Sequence, residues 1–145
     1  LRSRDWKARL EGRKALREAH LEGKNPTILL SPDISRLSID RRFDCIWAFS
    51  VLIHMSDKIL DDTLGFVSSH LSENGSFYAN VNIGENRQGN WQGFPVVART
   101  FDFYSQACAA NGLEVSDLGT LRDLGHVSHV ASQDNQRMLK MTRRK

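Results

Sequence analysis

A chain of 145 residues, 40% apolar and 26% charged, is long enough for one domain with a sizeable core, and it carries no low-complexity tract or repeat. No apolar run approaches the ~20 residues of a membrane span, and the charged start lacks the apolar segment of a signal peptide, so a soluble, cytoplasmic protein is expected. The net charge of +3 gathers in residues 1–24, with eight Lys/Arg against four Asp/Glu, and in Arg143-Arg144-Lys145. Without aromatic–basic interleaving these patches predict solvated surface rather than a nucleic-acid site.

Residues 4–22, RDWKARLEGRKALREAHLE, read as a helix with a partial apolar stripe, weakened by Gly12 and stopped by Gly23 to Pro26. Thr27-Ile28-Leu29-Leu30 reads as a short strand ending at Ser31-Pro32-Asp33. Residues 44–49 form a nearly unbroken apolar strand, as in a parallel sheet covered on both faces. Ser56 is a good N-cap, and Asp57 favours the positive end of the helix it opens. Leu60, Leu64, Val67 and Leu71 recur on one face of that helix, which Asn74-Gly75 is expected to end. Phe77, Ala79, Val81 and Ile83 then alternate with Tyr78, Asn80 and Asn82 as a strand. Residues 84–93, GENRQGNWQG, read as a long polar loop. Thr100 caps a helix carrying Phe101, Tyr104 and Cys108, closed by Asn111-Gly112. Residues 113–121 and 137–143 are the last two strands. The two cysteines, Cys45 and Cys108, read as small buried residues in a reducing compartment. This alternation predicts an α/β fold: a mostly parallel sheet with a C-terminal antiparallel hairpin.

The stretch FDCIWAFSVLIHM, residues 43–55, carries the functional signal. An apolar strand runs straight into Ser50, and His54 follows in the first turn of the connection. Open α/β sheets hold their ligands at such carboxyl strand ends. Taken singly, Ser50 is a turn residue and His54 a satisfied side chain.

Taken together, PDISRL, FDCIWAFSVLIHMSD, LSENGSFYANV and RTFDFYSQACAANGLEV resemble, in order, the second half of a class I S-adenosylmethionine-dependent methyltransferase. The resemblance covers Ala15 to Thr142, and FD-x-I-x-x-x-S-V-L-x-H-M is its most distinctive part. It implies a Rossmann-like sheet, S-adenosyl-L-methionine as cofactor, and methyl transfer to a small-molecule acceptor chosen by segments such as 84–99. Asp33 would accept a hydrogen bond from the adenine amino group, and the backbone at Ile34 would help hold that ring. Phe49, Ser50 and Val51 would pack along the methionine and ribose side. His54 would orient the acceptor or take its proton. Asp33 reads equally well as an Asx turn after Pro32. Methyl transfer needs alignment above all, so no catalytic dyad is required.

Two parts of the family pattern are missing: the acid and G-x-G-x-G turn after the first strand, and the acid ending the second strand that holds the ribose hydroxyls. The chain therefore reads as a single, N-terminally truncated partial domain over residues 1–145, and its start at Leu1-Arg2-Ser3 fits a piece of something longer. Two central strands would be absent, leaving the strand at Thr27 to pair abnormally, detach or find a partner chain. Such a fragment is expected to bind cofactor weakly or not at all. The alternative is a non-catalytic methyltransferase-like interaction module, with Trp91 and Phe94 forming a contact surface or, in an enzyme, a lid. His126-x-x-His129 lacks a second ligand pair, so no metal site is expected. A short-chain dehydrogenase is disfavoured because Tyr78 and Tyr104 are followed four residues on by Asn82 and Cys108, not lysine.

Overall fold

The computed structural model describes residues 31–128 and 130–145 together with Thr27 and Leu29. The expected helix over 4–22 and its stop, Ile28 and Leu30 of the first expected strand, and His129 lie outside the described residues. The chain divides into two compact units, Leu1–Ser38 and Ile39–Lys145. In the first, Asp33 caps a single 3-10 turn, Ile34–Arg36.

The second unit holds β1 (Phe43–Ala48), a 3-10 turn at Leu52–His54, α1 (Asp57–His70), β2 (Leu71–Ile83), β3 (Arg87–Trp91) and β4 (Phe94–Arg99). After these come α2 (Phe101–Ala110), β5 (Leu113–Thr120), a short α3 (Ala131–Asp134) and β6 (Arg137–Arg143). β1 runs parallel to β2, and β6 lies between β2 and β5, antiparallel to both. The expected terminal hairpin is thus β5–β6. β4 joins β2 in parallel only at Asn82 and Ile83.

Local chemistry explains the helix starts. Ser56 Oγ accepts from the Ile59 N–H and Thr100 Oγ1 from the Phe103 N–H, each satisfying a donor that the first turn would leave orphaned. Leu60, Leu64 and Val67 of α1, with Tyr104 and Cys108 of α2, pack on Phe77, Ala79, Val81, Leu139 and Met141. Burying each leucine or valine contributes about 1.5–3 kcal/mol. Burial also pushes the Cys108 thiol up to about 12.

Three expectations need correction. First, β1 is not covered on both faces. Ile46 pairs with core residue Phe77, whereas Trp47 pairs with Tyr78 and is 59% exposed; Cys45 is exposed as well. Only the face under α1 and α2 is core, so a run of apolar residues here records aromatic surface as well as burial. Second, α1 stops at His70, not at Asn74-Gly75. The Leu71 N–H still bonds to the Val67 carbonyl, but Leu71 already pairs with Phe43. Pairing then jumps from Phe43–Leu71 to Cys45–Ser76, so Ser72 to Gly75 form a bulge. Third, residues 87–99 form a hairpin whose first strand and turn lie in the 84–93 stretch expected to be a loop. Its turn residues, Gln92 and Gly93, both have positive φ (49° and 88°), as in a type I′ turn, and Asn90 Oδ1 accepts from the Gly93 N–H.

Candidate functional site

The carboxyl end of β1 is built from three sides. Phe49 stacks near-parallel on Trp47, with ring centroids 6.4 Å apart, and meets the His126 ring edge-on at 5.3 Å. Ser50 then takes φ of 56°, a left-handed conformation that is costly for any residue with a Cβ. Its N–H donates to Asn80 Oδ1 at 2.6 Å, and Asn80 Nδ2 donates to Gln136 Oε1. Asn80 is fully buried and Gln136 is 8% exposed. Val51 turns outward at 43% exposure, while Leu52 and Ile53 dive into the core. The strand end is therefore accessible at Phe49 to Val51 and anchored immediately on both sides.

His54 is held by the hairpin. Its Nδ1 lies 2.6 Å from the Pro95 carbonyl, and its ring meets Phe94 at 6.2 Å. A carbonyl only accepts, so Nδ1 carries the proton and Nε2 is the nitrogen left as acceptor in the neutral ring. The loop between α1 and the 3-10 turn is pinned by Arg99. This guanidinium, 5% exposed, gives Asp57 Oδ1 bonds from Nε (3.0 Å) and Nη2 (2.7 Å), and Nη2 also reaches the Met55 carbonyl at 2.7 Å. Burial raises the pKa of neighbouring Tyr104, while the Arg99 charge pulls against it.

In the first unit Asp33 shows the Asx-turn geometry. Its carboxylate accepts from the Ser35 N–H and hydroxyl, each at 2.9 Å, and Arg36 Nε lies 4.0 Å away. Ile34 is half-buried in the turn that Asp33 caps. The structure thus gathers Phe49, Ser50, Val51 and His54 within one unit and describes Asp33 and Ile34 within the other. A cleft of about 290 Å³ opens at the hairpin base, lined by Asp57, Asn86, Arg87, Gln88, Val97, Ala98, Arg99 and Phe103; it contains none of the expected site residues. Among the described residues, no group of three His, Cys, Asp or Glu side chains converges as a metal site would, and no helix is long and apolar enough to cross a membrane.

No protein-family model matches the chain, and none of the curated proteins does. Solved structures do. An S-adenosylmethionine-dependent methyltransferase from Clostridium acetobutylicum aligns with TM-score 0.64 at 15% identity, over 93% of this chain and 70% of that one. The chain has a class I methyltransferase fold. Two further methyltransferases agree. The O-methyltransferase of a trans-AT PKS multienzyme of Brevibacillus brevis, in complex with S-adenosyl-L-homocysteine, aligns with TM-score 0.62 at 19% identity, over 95% of this chain and 56% of that one. The Burkholderia thailandensis 1,6-didemethyltoxoflavin-N1-methyltransferase, with 1,6-didemethyltoxoflavin and S-adenosylhomocysteine bound, aligns with TM-score 0.61 at 16% identity, over 77% of this chain and 48% of that one. The chain therefore spans between about half and 70% of the length of these methyltransferases.

Sequence reasoning missed four residues that shape this strand end: Asn80, Arg99, His126 and Gln136. Asn80 was read as part of the polar face of β2, yet it is completely buried. The available signal was an amide amid buried β2 residues, since an amide is buried only with partners. Arg99, just before the Thr100 cap, gave no local signal of its pairing with Asp57 across 42 residues.

Proposed function

We propose that the chain is part of a cytoplasmic S-adenosylmethionine-dependent methyltransferase acting on a small-molecule acceptor, both units belonging to one partial domain. The observation that carries the reading is the end of β1, where a methyltransferase sheet stops in an accessible, left-handed serine with its neighbours anchored. Structural neighbours that carry S-adenosyl-L-homocysteine support the cofactor, and the small acceptor bound in one of them supports that class of substrate.

The residues present suit such a ligand. The Ser50 N–H is taken by Asn80, whereas its hydroxyl makes no hydrogen bond among the described residues and is left to face the methionine or ribose side. Phe49 and Val51 supply the apolar walls of that side. The Asp33 carboxylate, with the Ile34 backbone, takes the adenine edge. S-adenosylmethionine, when bound, supplies a methyl group on a sulfonium that is already a good leaving group. The chain's task is then alignment. His54, held by Pro95, presents Nε2 to orient the acceptor or receive its proton. The hairpin β3–β4, with Trp91 and Phe94 58% and 60% exposed, chooses the acceptor.

Saturation-transfer NMR with S-adenosylhomocysteine tests this on the chain as it stands, because it reads binding even when it is weak. Transfer to the adenine and ribose protons is expected, with amide shifts at Phe49 to Val51. Asp33→Ala should weaken binding roughly ten- to hundredfold, the loss of a charged hydrogen bond worth about 1–3 kcal/mol. His54→Ala should leave cofactor binding unchanged. Transfer without amide shifts at Phe49 to Val51, which would place the ligand elsewhere, would overturn the reading.

A further inference from the structure

The left-handed Ser50 has a cause that lies 30 and 86 residues away in the chain. We propose that the buried amide pair Asn80–Gln136 is a positioning device: it holds Ser50 left-handed and so aims the backbone that leaves β1 toward the ligand. The inference rests on the reading of that strand end as the cofactor site.

A serine stays in this conformation only where its surroundings over-determine it. Here the determination has a direction. The Ser50 N–H can only donate, so the Asn80 atom facing it must be the amide oxygen. The Asn80 nitrogen therefore faces Gln136, whose contacting atom must be the oxygen Oε1. With Asn80 fully buried, water does not compete for either bond. Gln136 is itself fixed where β6 begins: its carbonyl accepts from the Leu121 N–H at 2.8 Å, and its N–H donates to the Gln133 carbonyl at 3.0 Å.

The same loop holds Phe49. The His126 N–H bonds to the Leu121 carbonyl at 2.9 Å, placing the His126 ring against Phe49, while Ser128 and Arg122 both bond to buried Asp134. Hydrogen bonds from Ser128, then the nearby Arg122, keep the Asp134 carboxyl below its usual range. Residues 121–136 thus grip two consecutive residues of the β1 end, Phe49 by ring contact and Ser50 by hydrogen bond. Neither Asn80 nor Gln136 is assigned ligand contact; both act through Ser50.

A Ser50→Gly substitution supplies the discriminating test, because glycine adopts positive φ at no cost. In the intact chain, Asn80→Ala should release Ser50. The three-bond amide–α-proton coupling of residue 50 should change, its amide exchange should accelerate about tenfold or more, and S-adenosylhomocysteine affinity should fall about tenfold, as for one lost buried hydrogen bond. In a Ser50→Gly background the same Asn80→Ala change should cost much less affinity, a coupling between the two positions that a purely structural asparagine would not produce. Gln136→Leu should reproduce the Asn80→Ala effects on Ser50 more weakly, and Gln136→Glu, which keeps an acceptor for Asn80, should restore the wild-type coupling; this pair serves if Asn80→Ala fails to fold. Unchanged coupling and exchange at Ser50 in Asn80→Ala, or in Gln136→Leu where that pair is used, would overturn the proposal, as would equal affinity losses in the wild-type and Ser50→Gly backgrounds. If wild-type chain binds S-adenosylhomocysteine away from residues 49–51, the functional reading fails, while the coupling and exchange at Ser50 still decide the positioning role.

Discussion

Replacing Asp57 with alanine is expected to destabilise the chain by about 2–4 kcal/mol, more than replacing its partner Arg99 with methionine. The asymmetry follows from where the two side chains sit. Asp57 is 75% exposed and returns to water readily when Arg99 is gone. Arg99 is 5% exposed, and without Asp57 the guanidinium keeps only the Met55 carbonyl as an acceptor among its described hydrogen bonds. Its charge would stay buried and largely uncompensated, whereas methionine fills much of the same volume with no charge to compensate. Arg99 also stacks over the Phe103 ring at 5.1 Å, so some cation–π attraction disappears with it, which narrows the gap but does not reverse it. Urea denaturation of the three proteins measures both values. An Asp57→Ala midpoint at or above that of Arg99→Met would show that the guanidinium is better solvated than its geometry implies.

Gly75→Ala should cost about 2–3 kcal/mol, the upper range for a group forced into filled space. A Cβ there would stand 2.6 Å from the Phe43 carbonyl oxygen, 3.0 Å from Ser72 Oγ and 3.1 Å from Leu71 Cδ2. The first neighbour is backbone of the paired strand and cannot swing aside, so relief requires opening the bulge that sets the register between β1 and β2. Gly84→Ala is the matched control, because a Cβ at that position meets nothing within 4 Å. It should change stability by no more than about 0.5 kcal/mol. Similar losses at both glycines would mean that the contact with Phe43 does not govern position 75.

Where the determining chemistry is local, sequence and structure agree. Ser56 and Thr100 cap the helices expected of them, and Gly112 closes α2 with φ of 69°. The α/β order and the final antiparallel hairpin follow from hydrophobic period alone. Reading failed where the partner is distant. The helical spacing of Leu71 is genuine, yet Phe43 draws that residue into a strand. Gln92-Gly93 is a weaker hairpin signal than Asn-Gly, so β3 and the turn were hidden in a polar stretch, and β4 was left without its partner strand. Trp47 looked buried because aromatic and aliphatic residues count alike in an apolar run. At the candidate site, Ser50 and His54 drew attention by residue type and position. What shapes them, Asn80 with Gln136 and Pro95 with Phe94, enters only through tertiary contact.

The placement of β6 has a consequence for synthesis. Of the strands described it is the last to emerge from the ribosome, yet its neighbours on either side, β2 and β5, have been made before it. Until residues 137–143 arrive, those two strands lack the shared central partner that joins them, and the Asn80 amide is without Gln136. The nascent chain must carry open edges through that interval, which makes it a natural client for chaperones during translation.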